Sequence, residues 1–239
     1  MSLNDLTVYN GEPLVRVGSA ADGGYLLHEQ DANAYDIFIA CGLGGNLDFE
    51  NDFVRRYNCV CIAYDGDDKT YSRTLEAVSE TEKITVIKQN IGATETTTET
   101  NLLSIVNNHR NIFLKMDIEG YNFNMGEWPW LNLLTEDNLL RFRQMVIEFH
   151  FPNTGQHWDI FKKINKTHYL VHFHANNNNN VVYRIGAKKV PAVFECTYVR
   201  KDLIIDPSLN TVPLPRFDDS RNVDDMDYSF NCPPWVHNT

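Results

Sequence analysis

The sequence predicts an α/β protein built on one mainly parallel sheet of seven strands. Short apolar runs alternate with segments of helical periodicity, which is the pattern of repeated strand–helix units. The last two runs have no helical segment between them, so we expect those two strands to pair as an antiparallel hairpin. With 239 residues and 43% hydrophobic content, the chain is long enough to bury a full core in one large domain.

The elements follow in chain order. A turn at Asp22-Gly23 between two short β-type segments predicts a hairpin before the main sheet. The predicted strands then cover residues 36–41, 59–65, 84–90, 111–117, 144–150, 169–174 and 193–199. The predicted helices cover 47–57, 69–79, 101–108 and 155–166, and Asn153 with Gln156 would form a capping box for the last of these.

The chain divides into three parts by composition. We expect residues 1–30 to form an N-terminal hairpin packed on the domain, residues 31–205 to form the domain itself, and residues 206–239 to form an acidic, proline-containing tail or flap. The asparagine run 176–180 is interpreted as an exposed loop tip. The acids that mark the tail are Asp218, Asp219, Asp224, Asp225 and Asp227.

Charge and cysteine usage limit the partners. A net charge of -11 repels phosphate backbones and no Lys/Arg-rich run offsets it, so we expect no nucleic-acid partner. No apolar stretch approaches the length of a membrane span, and the first residues lack a signal-peptide pattern. Five cysteines, an odd number without zinc-site spacing, indicate reduced thiols in an intracellular, cytoplasmic protein. Oligomeric state is left open.

Carboxylates follow two of the predicted strands at the point where each strand ends. Asp117 and Glu119 come after a buried apolar run, and the run 144–150 ends in Glu148 and His150. Ligands of open α/β sheets bind outside the carboxyl ends of the strands, so these four side chains are expected in one crevice. The alternative for single residues is structural: Asp117 could cap a helix, and Glu148 could be a paired buried acid.

A glycine-rich loop follows the first predicted strand of the sheet. Glycines there let the backbone approach a ligand, and Asp65 at the end of the next strand could accept hydrogen bonds from ribose hydroxyls. A dinucleotide fingerprint needs a third glycine where this chain has Leu47, which favours S-adenosylmethionine over a nicotinamide cofactor. An ordinary tight turn is the alternative. The expected cofactor-binding residues are Cys41, Gly42, Leu43, Gly44, Gly45, Asp65, Gly66, Asn90, Ile91 and Asp117.

Between about residues 16 and 200 the chain resembles the FkbM-type family of S-adenosylmethionine-dependent methyltransferases. The resemblance is carried by Arg16-Val17-Gly18 with Asp22-Gly23-Gly24-Tyr25, by the glycine loop, by Lys115-Met116-Asp117-Ile118-Glu119-Gly120, and by Ile147-Glu148-Phe149-His150. It implies a class I methyltransferase fold, a Rossmann-like three-layer sandwich whose seven-stranded sheet has its last strand antiparallel. It also implies methylation of hydroxyls, often of sugars, as in glycan-modifying proteins of large DNA viruses and bacteria.

One position departs from the class I pattern. Many class I methyltransferases have an acid two residues before the first loop glycine, where this chain has Ala40. The methionine amino group would then be held by Asp117 or by loop carbonyls.

The predicted reaction is O-methylation of a carbohydrate hydroxyl. Glu119 is the first candidate for the base and His150 is the alternative, with Asp117 beside them. A divalent magnesium or manganese ion held by Asp117, Glu148 and His150 could also acidify the hydroxyl. Competing hypotheses are a nicotinamide-dependent oxidoreductase, against which Leu47 argues, and an inactive binding module of the same fold, which Ala40 leaves open.

Two further groups of residues have two interpretations each. By period two, His168, His172 and His174 would share one face of the sixth strand, as metal or substrate contacts or as structural residues. Trp128 and Trp130 would form either an aromatic platform for a sugar ring or part of the core.

Overall fold

The computed structural model describes residues 1–20, 22–77, 82–120, 122–216, 219, 222–223 and 226–238. After a 3₁₀ turn (Leu3–Leu6), the strands in chain order are β1 (Leu14–Gly18), β2 (Gly24–His28), β3 (Ile37–Cys41), β4 (Cys61–Tyr64), β5 (Ile84–Ile87), β6 (Asn90–Ile91), β7 (Glu99–Thr100), β8 (Ile112–Met116), β9 (Phe142–His150), β10 (His168–Ala175), β11 (Val182–Ile185), β12 (Lys188–Pro191) and β13 (Val193–Arg200). The helices are α1 (Asp48–Tyr57), α2 (Asp68–Ala77), α3 (Leu103–Asn108), α4 (Glu127–Leu133), α5 (Glu136–Leu139) and α6 (Gly155–Thr167).

The main sheet has seven strands in the order β10-β13-β9-β8-β3-β4-β5. β13 is antiparallel to both of its neighbours, whereas the β9–β8, β8–β3, β3–β4 and β4–β5 pairs are parallel. β10 and β13 are joined through the β11–β12 hairpin rather than a crossover helix. The structure therefore confirms the predicted class I methyltransferase fold, a mostly parallel sheet with its last strand antiparallel.

Helices and the N-terminal hairpin cover the two faces of the sheet. Alternate residues of β3 point to opposite faces, so Ile39 joins one core cluster and Phe38 the other. The first cluster includes residues of α3, α4 and α6, and the second includes residues of α1, β1 and β2. In the second cluster the rings of Phe53 and Phe113 stack with centroids 4.1 Å apart. Burial on both faces explains why the strands are continuous apolar runs.

Several local features differ from the sequence prediction. α6 is capped by Thr154 with His157, not by Asn153 with Gln156, because His157 Nδ1 accepts a hydrogen bond from the Thr154 amide at 3.1 Å. α4 was not predicted, since Pro129 breaks the helical pattern; in the first turn, however, a proline costs no intrahelical hydrogen bond. The predicted end of α2 at residues 78–79 lies outside the described residues.

A β-bulge in β10 separates His168 from His172 and His174. The register with β13 shifts between Leu170 and His172, so His168 lies on the opposite face from His172 and His174. The prediction that all three share one face is wrong, because a single extra residue reverses the alternation. His168 is a structural residue: its Nε2 lies 3.0 Å from the Phe142 carbonyl, and burial lowers its pKa to about 4.

The C-terminal segment folds back over the domain. Leu214 and Phe230 pair through their backbones, and Trp235 is buried in the first core cluster. Two ion pairs attach the segment to β10: His172 Nε2 lies 2.7 Å from Asp219 Oδ2, and His174 Nε2 lies 3.3 Å from Asp227 Oδ2. The predicted acids Asp218, Asp224 and Asp225 lie outside the described residues.

We expect the substitution Asp227→Asn to destabilise the fold strongly near neutral pH and less as the pH rises. Burial opposes the charged imidazole, but Asp227 and Glu195 raise the pKa of His174 to about 11. The stabilisation is therefore complete below the unfolded pKa of about 6.5 and is lost as the pH rises through the folded pKa. Urea unfolding of both proteins at about pH 6, 8 and 10 measures the difference; a difference independent of pH would contradict the ion pair.

Two general features complete the fold. No helix in the described ranges is long and apolar enough to cross a membrane. All five cysteines lie in the described part of the chain and are free thiols.

Candidate active site

A cleft of about 830 Å³ lies at the carboxyl edge of β3, β4 and β8. Its position is where ligands bind in open α/β sheets, and its volume suits a cofactor. Of the residues predicted to bind the cofactor, those that line the cleft are Gly42, Leu43, Gly44, Asp65, Gly66, Asn90, Ile91 and Asp117. The two others lie outside the lining: the Cys41 side chain is buried in the core, and a Cβ at Gly45 would contact Arg73.

The glycine loop passes against the end of β8. Gly42 has φ +79°, and a Cβ on it would lie only 1.7 Å from the Asp117 carbonyl oxygen. Gly44 has φ +59°, but a Cβ there would meet nothing within 4 Å. The close approach to the backbone of Asp117 therefore requires a glycine at position 42, whereas the space beside Gly44 is open. Asn46 precedes Leu47, the N-cap residue of α1, and its Oδ1 accepts from the Asp48 amide at 2.8 Å.

We expect Gly42→Ala to destabilise the protein by about 2–4 kcal/mol, because left-handed strain adds to a backbone collision. Gly44→Ala carries only the strain of its positive φ, about 1 kcal/mol. Urea unfolding of both variants measures the two free energies. Equal losses of unfolding free energy in the two variants would mean that the contact between residue 42 and the Asp117 carbonyl does not constrain the residue type at position 42.

Asp65 connects the end of β4 to the glycine loop. Its Oδ2 accepts from the Leu43 amide at 3.0 Å, and its Oδ1 accepts from the Asp67 amide at 3.0 Å. Each carboxylate oxygen can accept a second hydrogen bond, which leaves capacity for ribose hydroxyls. The adjacent Gly66 lies against the side chain of Asn90, whose Oδ1 would be 1.9 Å from a Cβ at that position.

A buried cation, Lys115, lies beneath the glycine loop. Lys115 Nζ donates to the Gly42 carbonyl at 3.0 Å and lies 3.2 Å from Glu50 Oε1. Burial opposes the charge, but Glu50 and Asp117 hold the pKa of Lys115 above its usual value. Lys115 is the register partner of Ala40 on β3. In the sequence, a lysine within an otherwise apolar run indicates a buried charge. Its partner Glu50, on α1, could not be identified because it is distant in sequence.

The strand-end acids and the imidazole meet at the adjacent edge. One ligand atom each from Asp117, Glu148 and His150 lies within 4.8 Å of the others. The parallel register explains this, since Met116 pairs with Ile147 and the next residues are therefore neighbours. Tyr25 donates to Asp117 Oδ2 at 3.2 Å, and Asn176 donates to Glu148 Oε1 at 2.6 Å.

The two carboxyl groups titrate in opposite directions. Burial alone would raise the pKa of Asp117, but a hydrogen bond with Glu148 and the charges of Lys115 and His150 hold it below the usual value. Burial and the negative charge of Asp117 raise the pKa of Glu148 well above its usual value. One proton of the pair is therefore lost at a lower pH, and the other at a higher pH, than from an isolated carboxyl.

His150 lies between three carboxyl groups. Its Nε2 is 3.5 Å from Glu119 Oε2 and 3.6 Å from Glu148 Oε2, while its Nδ1 is 3.4 Å from Glu127 Oε2. Burial would lower the pKa of His150, but Glu127, Glu119 and Asp117 raise it. The Glu119 side chain is 75% exposed at the cleft, whereas His150 is almost fully buried. The structure thus brings all four predicted strand-end residues together.

The two tryptophans are core residues rather than a sugar platform. Trp128 and Trp130 have no exposed surface, and their indole N–H groups donate to the carbonyls of His150 and Asn101. Pro129 between them does line the cleft.

Comparison with known proteins yields distant structural likeness. No family model matches the chain, and no curated protein matches it. Among solved structures, the chain is similar to the fibrillarin/Nop5p complex at 10% identity, covering 72% of this chain and 76% of that one with a TM-score of 0.44. It is also similar to M. capricolum TrmK in complex with S-adenosyl-homocysteine, at 12% identity, covering 71% of this chain and 64% of that one with a TM-score of 0.42. A third similar structure is an rRNA methylase from Streptococcus thermophilus, at 11% identity, covering 71% of this chain and 89% of that one with a TM-score of 0.41. The strand order, not these matches, carries the fold assignment.

Proposed function

We propose that the protein is an S-adenosylmethionine-dependent O-methyltransferase of the FkbM type that methylates a carbohydrate hydroxyl. One observation supports this most: the glycine-loop cleft with Asp65 opens beside the cluster of Asp117, Glu148 and His150 at the carboxyl edge of a class I methyltransferase sheet. A cofactor site and a proton-accepting site are therefore adjacent, as a group transfer to a hydroxyl requires.

The cofactor would be held by residues already ordered in the cleft. Asp65 would accept hydrogen bonds from the ribose, and Asn90 with Ile91 would flank the adenine. Asp117, whose pKa lies below the usual value, would pair with the methionine amino group in place of an acid at position 40. When bound, S-adenosylmethionine supplies an electrophilic methyl group on a sulfonium sulfur.

The acceptor hydroxyl must lose its proton as its oxygen bonds to the methyl carbon and the carbon–sulfur bond breaks. Glu119 would take that proton, because its exposed carboxylate lies at the cleft next to His150 Nε2. His150 is the alternative base. If Nε2 instead binds a metal, only Glu119 remains able to accept the proton.

The residues fit a divalent cation such as magnesium or manganese. Two carboxyls and an imidazole nitrogen within 4.8 Å form a suitable donor set. Burial and the charge of Asp117 raise the pKa of Glu148, and a cation bound there would offset both effects. A bound cation would lower the pKa of an acceptor hydroxyl. Asn176 would orient Glu148 through its hydrogen bond.

The electrostatics of the cleft favour a sugar over a nucleic acid. Its lining carries many carboxylates, which accept hydrogen bonds from sugar hydroxyls but repel phosphodiesters. These acids are Asp22, Glu50, Asp65, Asp67, Glu99, Asp117 and Glu119. One of the compared structures is an rRNA methylase, so RNA is the competing acceptor class in the assay.

Cofactor binding is tested by calorimetry. We expect S-adenosylmethionine and S-adenosylhomocysteine to bind and NAD not to bind. Asp65→Ala should weaken binding by about 1–3 kcal/mol, the usual cost of lost charge-assisted hydrogen bonds. The control is Asp68→Ala, an exposed aspartate three residues further along that pairs with Lys88. Unchanged affinity in Asp65→Ala would place the ribose elsewhere, and preferential binding of NAD would favour the oxidoreductase.

The acceptor is tested by methyl transfer to a panel of glycosides and to RNA oligonucleotides. We expect methyl ethers on the glycosides and no transfer to RNA. Transfer to RNA alone would contradict the substrate class while leaving the methyltransferase intact. Cofactor binding without any transfer would favour an inactive binding module.

A further inference from the structure

We propose that Glu127 is a positioning residue that places the imidazole proton of His150 on Nδ1, which leaves Nε2 unprotonated on the side of the ring that faces Glu119 and Glu148. The consequence for activity rests on the proposed function, whereas the position of the proton does not. No property of the sequence near Glu127 had indicated a role, because α4 itself was not predicted.

The first residues of α4 hold the backbone of His150. Glu127 is the first residue of the helix and has no exposed surface, and its Oε1 accepts from the His150 amide at 2.7 Å. The next residue, Trp128, donates from its indole to the His150 carbonyl at 2.8 Å. The main chain of His150 is thus bound on both of its polar groups by consecutive residues.

The second oxygen of Glu127 faces the ring. Oε2 lies 3.4 Å from His150 Nδ1, and within the described part of the chain neither atom has a well-formed hydrogen bond to another group. Burial raises the pKa of Glu127, and the nearby imidazole opposes that shift. As a carboxylate, Glu127 can only accept, and a proton on Nδ1 gives the solvent-excluded Oε2 a partner, whereas the Glu119 carboxylate on the Nε2 side is exposed to water. The ring proton is therefore assigned to Nδ1. Nε2 is then unprotonated in the neutral imidazole, 3.6 Å from Glu148 Oε2 and 3.5 Å from Glu119 Oε2. This is the form required of either a metal ligand or a base.

The substitution Glu127→Gln should invert this arrangement without changing the shape of the side chain. The His150 amide is always a donor, so the glutamine oxygen must face it, which turns the NH₂ group toward Nδ1. Nδ1 must then accept, and the ring proton moves to Nε2. We therefore expect turnover to fall about 10–100-fold, the usual effect of removing a group that orients a functional histidine.

The proton position is measured by ¹⁵N NMR of histidine-labelled protein, at a pH where the imidazole is neutral. The His150 signal is identified by its loss in His150→Asn. We expect Nδ1–H in the wild type and Nε2–H in Glu127→Gln. The control is Glu136→Gln, which removes an exposed glutamate that pairs with Lys166 on α6 and should leave the His150 signals unchanged.

The outcomes separate the two proposals. Nε2–H in the wild type would overturn the inference, and this measurement does not depend on the variant folding. An unchanged proton position in a folded Glu127→Gln variant would also overturn it. A move of the proton to Nε2 in Glu127→Gln, together with full turnover, would support the positioning of the proton by Glu127. It would contradict the use of His150 in the proposed function.

Discussion

Glu119→Gln is expected to lower turnover by about 10²–10⁴-fold, the usual contribution of general base catalysis, with cofactor affinity nearly unchanged. Glutamine keeps the size and one acceptor of the side chain but cannot take a proton. Because the Glu119 side chain is 75% exposed, the fold should not be affected, and a loss of turnover can be attributed to chemistry. Turnover and calorimetric affinity are measured on the same preparation.

The control for Glu119→Gln is Glu76→Gln, which changes an exposed glutamate of α2 and should have wild-type turnover. His150→Ala distinguishes the two candidate bases. Near-normal turnover in Glu119→Gln together with a large loss in His150→Ala would transfer the base to His150. If neither substitution matters, the strand-end residues are structural and the proposed mechanism is wrong.

Chelation is expected to abolish activity, and added magnesium or manganese should restore it. Glu148→Gln should then need far more metal, by about 10–100-fold, because a neutral amide replaces the buried anionic carboxylate ligand. The measurement is activity against metal concentration for the two proteins. Full activity of the wild type in chelator would eliminate the metal while leaving Glu119 as base.

Thermal unfolding without metal provides a second readout for Glu148→Gln. Burial and Asp117 raise the pKa of Glu148 well above its usual value. A carboxyl whose folded pKa is raised destabilises the fold above its unfolded pKa, so near neutral pH the neutral glutamine should unfold at an equal or higher temperature. A clear loss of stability would mean that Glu148 is a structural acid with favourable partners.

The positions of the sheet strands and of the strand-end acids could be predicted from the sequence. Strands buried on both faces are visible in the sequence as apolar runs, and parallel strands end at one edge, so Asp117 and Glu148 could be expected at the same edge of the sheet. The missing helix before β13 likewise predicted its antiparallel direction. In each case the signal is local, and general rules of chain connection supply the remaining information.

Contacts between residues distant in sequence could not be predicted. Lys115 pairs with Glu50, and His172 pairs with Asp219, because packing places α1 and the C-terminal segment over the sheet. A one-residue bulge moved His168 to the other face of β10, and no pattern of residue types marks such a bulge.

The sequence by itself determined the fold class, the glycine loop and which acids stand at the cleft, because these follow from local periodicity and strand direction. Only the tertiary structure decided the charge and proton state of the site. The charge and proton state depend on burial and on partners such as Glu127. Glu127 lies on α4, a helix that was not predicted because it contains Pro129, and this helix brings it to His150. Electrostatic free energies are set by distance and solvent exclusion, which no local pattern encodes.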